Sequence, residues 1–142
     1  FVAILAEMIH DTRIIPIDGR RHINSSIHQW MGDSRGHWEN DTLVVETTNF
    51  SDKLYERRFS LMVWGTGKNM HMVERFTRVN ENTIDYEFTL TDPTTFARPF
   101  TASIPMTTLT TPMFEYACHE GNYAMANMLR GARADETAGE SK

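Results

Sequence analysis

The sequence predicts an antiparallel β protein, a barrel or a sandwich of about seven to nine strands with one C-terminal helix. Three observations carry that prediction. Apolar and polar residues alternate over Thr83–Leu90 and again over Pro99–Thr107. Turn-forming pairs such as Asp18-Gly19, Asn40-Asp41 and Asp92-Pro93 punctuate the chain. Near Asn122 the apolar period changes from that of a strand to that of a helix.

Taken in order, Val2–Ile9 and Arg13–Ile17 are apolar runs separated by His10-Asp11-Thr12, which suits a short turn. Asn24 to Arg35 is rich in Ser, Asn, Gly and Asp and reads as a loop, with Trp30 and Met31 placed to pin it to the body. Gly36 to Glu46 reads as a hairpin about Asn40-Asp41, residues that tolerate positive φ. Phe50 to Lys68 reads as a long loop with a short helix near Leu54–Phe59. Met70–Val79 and Thr83–Leu90 form the next two strands, turned by Asn80-Glu81-Asn82. In the second, Ile84, Tyr86, Phe88 and Leu90 share one face while Asp85, Glu87 and Thr89 share the other, the mark of a sheet with one wet face. Pro99–Thr107 sets Phe100, Ala102, Ile104 and Met106 on one side, and Met113–Ala117 reads as one more short strand. Met125, Met128, Leu129 and Ala132 then make one helical stripe, expected to dock on the sheet, with Asn122 as N-cap. The expected organisation is a single β-rich domain over 1–133 with its helix at about 122–133, and a loose charged tail over 134–142.

Length and charge bound the function. The 142 residues are enough to bury a core. A formal charge of −5 argues against nucleic acid as the partner, because phosphate binding needs a basic surface. The apolar start, Val2 to Ile9, is too short to span a membrane and lacks the basic opening of a signal peptide. The single cysteine, Cys118, cannot form an internal disulfide; it is a buried thiol, a reactive one, or half of an intermolecular bridge.

The segment Gly32-Asp33-Ser34-Arg35-Gly36-His37-Trp38-Glu39-Asn40-Asp41-Thr42-Leu43-Val44-Val45-Glu46-Thr47-Thr48-Asn49-Phe50 resembles a large group of bacterial proteins, often exported, that have no established activity. So do Val73–Arg78, Asp92-Pro93-Thr94 and the run Glu115-Tyr116-Ala117-Cys118-His119-Glu120-Gly121-Asn122. The resemblance covers nearly the whole chain. It implies a fold and export to an extracellular or periplasmic setting, not a reaction. Members of that group extend upstream of the point matching Phe1, often with a cysteine there, which implies a fragment or a processed form. Asn40 replaces the glycine common in the group and keeps the turn; Phe100 replaces a common tryptophan and loses an N–H donor.

The candidates for chemistry are few. Cys118, His119 and Glu120 form a nucleophile-like string, but neighbours on a strand point to opposite faces, so Cys118 and His119 do not make a catalytic pair by themselves. They read better as a corner between strand and helix. Glu74 shares a face with Met72 and Phe76, so it is a candidate buried carboxylate; it needs a partner, and an arginine across the sheet is the simplest one. Histidines that could enter a metal site, chiefly His10, His37 and His119 with His22 and His71 beside them, show no ligand spacing, so no metal and no cofactor is expected. Asp18, Arg20 and His22 alternate, and with Glu39 and Asp41 they can line a polar pocket; a solvated turn with ion pairs is the preferred reading. Asn24, Asn40 and Asn49 open Asn-x-Ser/Thr sequons in loops or turns. Gly65-Thr66-Gly67-Lys68 lacks the spacing of a phosphate loop.

Two functions follow as expectations. One is an exported, non-catalytic protein that assembles with copies of itself, joined by pairing of its terminal strand. The other is a small-molecule-binding protein or enzyme with a pocket inside a lipocalin-like barrel, lined by Met72, Phe76, Tyr86 and Phe88 with Glu74, His119 or Glu120 as polar groups.

Overall fold

A computed structural model describes residues 1–54, 67–117 and 120–140. Among these residues the chain is mainly β, with seven strands in two antiparallel sheets followed by one helix. Strands β1 (Val2–Leu5) and β2 (Thr12–Ile15) pair with each other, joined through a short 3-10 helix over Met8–His10. Strands β3 (Asp33–Glu39), β4 (Thr42–Thr48), β5 (His71–Asn80), β6 (Thr83–Thr91) and β7 (Phe100–Thr107) form a five-stranded meander in chain order. The five strands make an open sheet with β3 and β7 at its edges, so the barrel expectation is corrected.

The turns follow from residues that tolerate their backbone. Asn40 sits at φ 53° in the two-residue turn between Glu39 and Thr42. Asn80 Oδ1 accepts the Asn82 N–H at 2.9 Å and closes the β5–β6 turn. Asp92, buried after β6, accepts from the Thr94 N–H at 3.0 Å, the Thr94 hydroxyl at 2.6 Å and the Thr95 hydroxyl at 3.2 Å.

Register brings three rows of side chains together on one face of the large sheet. They are Trp38–Leu43–Phe76–Tyr86–Ile104, Gly36–Val45–Glu74–Phe88–Ala102 and Ser34–Thr47–Met72–Leu90–Phe100. The β1–β2 hairpin lies over the β3–β5 part of this face. Ile15, with Val2 and Ile4, packs against Leu43, Val45 and Phe76. Each large side chain buried completely there, such as Ile15 or Val45, adds roughly 1.5–3 kcal/mol. Gly36 permits the close approach: a Cβ there would lie 2.9 Å from Ile15 Cγ2, and its N–H donates to the Pro16 carbonyl at 2.8 Å. A second cluster, Phe50, Met70 and Leu90 with Met72 and Phe88, fills the other end.

Three expectations need correction. Met113–Ala117 is extended coil and not a strand, because it leaves the sheet after β7 and finds no ladder; the Phe114 N–H reaches the Glu7 carboxylate instead. The helix, α1 (Ala124–Glu140), runs through the region expected to be a loose tail. Its later residues include Ala134, Glu136 and Ala138, good helix formers, and the Thr137 hydroxyl bonds back to the Arg133 and Ala134 carbonyls. The start matches expectation, since Asn122 Oδ1 accepts the Ala124 N–H. The stripe does not dock: Met125, Met128 and Leu129 are all exposed. Trp30 and Met31 are exposed, and the loop is held by Gln29, whose N–H donates to the Asn49 carbonyl and whose carbonyl accepts the Ser51 N–H.

Candidate functional site

Two polar groups stand out, one on each face of the large sheet. On the inner face, Glu74 sits in mid-sheet and is 2% exposed. Alternation put it inside, and burial requires a partner. Arg13, from β2 of the other sheet, supplies it with two bonds of 2.9 and 2.5 Å. The Tyr86 hydroxyl donates to the same carboxylate at 3.0 Å, and Arg13 also reaches the Ser34 and Thr47 hydroxyls. Burial, reinforced by the charge of Glu74, pushes the Tyr86 phenol above its ordinary range. Burial works against the Arg13 charge, yet the bond to Glu74 holds the guanidinium charged. Both carboxylate oxygens are occupied and closed off from solvent. The arrangement fastens hairpin to sheet and presents no open position for a substrate.

The outer face carries a second group. Asp33, at the start of β3, is buried and anchored by Arg35 at 2.7 Å and by the Ile23 N–H at 3.0 Å. It accepts from His22 Nδ1 at 2.8 Å. The other nitrogen of that ring, Nε2, is shielded from solvent and has no hydrogen-bond partner. It faces Glu46 Oε2 at 3.9 Å. Glu46 Oε1 in turn accepts from His71 Nε2 at 2.6 Å. The His71 bond first, opposed by partial burial and helped by the charges of His71, His22 and His37, holds the Glu46 carboxyl below its ordinary range. Beside this group, Glu39 bonds His37 at 3.1 Å and Arg75 at 2.9 Å. Among the described residues no group of three or more His, Cys, Asp or Glu side chains could hold a metal ion.

The other sequence candidates are scattered. Cys118 and His119 lie outside the described residues, as do Gly65 and Thr66 and the helix expected near Leu54–Phe59 beyond Leu54. Glu120 is exposed in the turn before the helix. His10 is exposed at the end of its 3-10 turn, with φ 60°. Asp18 and Arg20 pair with each other, His22 turns to Asp33, and Glu39 to His37 and Arg75, so they do not converge on one pocket with Asp41. Lys68 pairs with Asp52. Asn24 and Asn40 are exposed, whereas Asn49 is buried with its amide nitrogen donating to the Ile23 and Asn24 carbonyls, so it offers no accessible acceptor. A depression of about 610 Å³ opens at the β3–β4 tip, lined by Trp38, Asn40, Asp41, Arg78 and Asn80; it lies at the sheet's end and not within the β framework.

Sequence reasoning named His22 and His71 but missed Glu46 and Asp33 as their partners. The available signal was parity: Glu46 falls on the polar side of β4, opposite Val45, and Asp33 and Arg35 share that side on β3. No helix among the described residues is long and apolar enough to cross a membrane. No protein-family model, characterised protein or solved structure matches this chain.

Proposed function

We propose that this is a non-catalytic, exported protein that associates with copies of itself through the β6–β7 half of its apolar face. The observation that carries this reading is the incomplete cover of that face. The hairpin stops over β3–β5, and Ile84, Phe100, Ile104 and Met106 remain 39–49% exposed. Leu109, Met113, Phe114 and Tyr116 extend the apolar surface along the segment after β7. Large apolar side chains left this exposed on one face are the mark of an interaction surface. The Ile84–Phe100–Ile104–Met106 strip is itself uncharged, with Arg78 beside Ile84 at one end. On this reading a second copy completes the layer that the hairpin begins, and the fold is a sandwich shared between chains. Export rests on the sequence resemblance.

Terminal-strand pairing takes a smaller part. Val2 and Ile4 already pack in the core, so deleting residues 1–9 would uncover Leu43 and Val45 as well as remove an edge. The cleaner test is Ile104→Glu. Light scattering at high micromolar concentration is expected to show an oligomer for the natural chain and a monomer for the variant, with unchanged circular dichroism. A natural chain that stays monomeric would overturn the proposal. The alternative of a ligand pocket inside a barrel has less support, since Phe76 stacks on Tyr86 at 4.8 Å, Tyr86 packs tilted against Phe88 at 5.8 Å and Glu74 is fully engaged.

A further inference from the structure

We propose that the open half of the sheet, over β6–β7, is covered by helix α1 of a second copy, each chain lending its helix to the other. The inference rests on the self-association proposed above and names the part of the partner that does the covering. Two exposed apolar surfaces of the molecule match. One is the Ile84–Phe100–Ile104–Met106 strip, 39–49% exposed. The other is the α1 stripe of Met125, Met128 and Leu129, 51–67% exposed. A helix of this kind draws most of its stability from packing its apolar stripe against another element. The dimensions agree. The 17 residues of α1 make a rod about 25 Å long, and the 8 residues of β7 run about 27 Å. A helix about 10 Å wide spans two strands set about 4.8 Å apart, the width of the open half.

Charge sets the direction of the helix. Beyond Ala132 the stripe continues, by three and four residues, to Asp135 and Glu136, so its far end is acidic. Among the described residues the strands place Glu74 and Arg78 as the charged side chains of the inner face. Glu74 is closed by Arg13, whereas Arg78 is exposed and reaches the Asn80 and Glu81 carbonyls at 3.3 Å. Arg78 stands opposite Ile84, and Ile84 opposite Met106, so this guanidinium marks one end of the strip. A helix laid with Asp135 and Glu136 at that end brings two carboxylates to the arginine and runs Leu129, Met128 and Met125 back along Ile104 towards Phe100. The path of the chain points to a second copy as the donor. After β7 the Phe114 N–H bonds the Glu7 carboxylate, at the end of the β1–β2 hairpin. The connection has thus passed from the β7 edge to the element that roofs the other half, and α1 starts only beyond it. Reciprocal exchange uses the same two surfaces in both copies, which makes a two-fold pair.

The test is light scattering on the full chain, with circular dichroism beside it. Met128→Glu with Leu129→Glu changes two exposed side chains, so this variant should fold as the natural chain does, and its self-association should weaken by about tenfold or more. Arg78→Glu should weaken association too, and adding Asp135→Lys and Glu136→Lys to the same chain should restore it. To tell partner from self, chains bearing Ile104→Cys are mixed with chains bearing Met128→Cys, both with Cys118→Ser, under mild oxidation. A disulfide joining the two kinds of chain is expected. If Ile104→Glu abolishes association and Met128→Glu with Leu129→Glu does not, self-association stands and the helix has no part in it, which overturns this inference alone. A disulfide that forms within one chain carrying both cysteines, and never between mixed chains, would place α1 on its own sheet and overturn it as well. A natural chain that stays monomeric removes both readings.

Discussion

The two halves of the large sheet's inner face share the same alternation and have different fates. Over β3–β5, Leu43, Val45 and Phe76 are roofed by Ile15, Val2 and Ile4. Over β6–β7, Ile84, Ile104 and Met106 are open. Alternation made both halves apolar; only a covering element decides which half is core. The roof reaches as far as Arg13, whose guanidinium ends on Glu74 in the middle strand. The hairpin is therefore fastened by charge at its limit and by apolar packing behind it.

The largest effect is expected from breaking that fastening. Glu74→Ala strands a buried guanidinium and should cost about 3–5 kcal/mol in urea unfolding, whereas Arg13→Met with Glu74→Leu should be near neutral or stabilising. If the single and double variants lose the same stability, the ion pair is not what holds the roof. Next comes Gly36→Val. Its Cβ would press on Ile15 at 2.9 Å and Ile17 at 3.1 Å, so about 1–3 kcal/mol should be lost, with the β1–β2 amides exchanging first in hydrogen-exchange measurements.

A smaller effect is expected from acid. Burial by itself raises the Asp92 carboxyl, but the Thr94 hydroxyl and N–H, the Thr95 hydroxyl and the Gly67 backbone outweigh it and hold the group below its ordinary range. A carboxyl lowered in the folded state adds stability above its unfolded value, about 3.9, and that stability is lost as pH falls below it. Unfolding free energy should decline on acidification through that range, and Asp92→Asn should flatten its own share of the decline. The smallest effect on stability, within about 0.5 kcal/mol, belongs to Ile104→Glu on the open half. The same substitution on the roofed half, at Val45, should prevent folding. That contrast is the sharpest measure of how the two halves differ.

Much of the fold is legible in the sequence. Period-two runs locate β5, β6 and β7 because alternate side chains fall on an apolar face and a polar one. Glu74 is readable as buried and paired from its place between Met72 and Phe76. Its partner is not, because alternation assigns a side chain to a face without saying which distant segment packs there; Arg13 stands 61 residues away on the other sheet. The His22, Glu46 and His71 group is illegible for the same reason. Its members lie on a loop and two strands, and no fixed spacing joins them. The helix beyond Arg133 escapes a reading by pattern because its small and charged residues resemble a loose end, although alanine and glutamate favour helix.

Pro105 gives the open half a further consequence. It stands in β7, at the sheet's border, opposite Asp85. Proline has no N–H, and within a sheet it is tolerated where that side of the strand faces solvent. Another strand laid along β7 would find a bond missing in mid-ladder. A copy drawn to the apolar strip can thus stack on the sheet but is discouraged from lengthening it at that edge. On the proposed association, growth by repeated strand addition along β7 is checked by one residue.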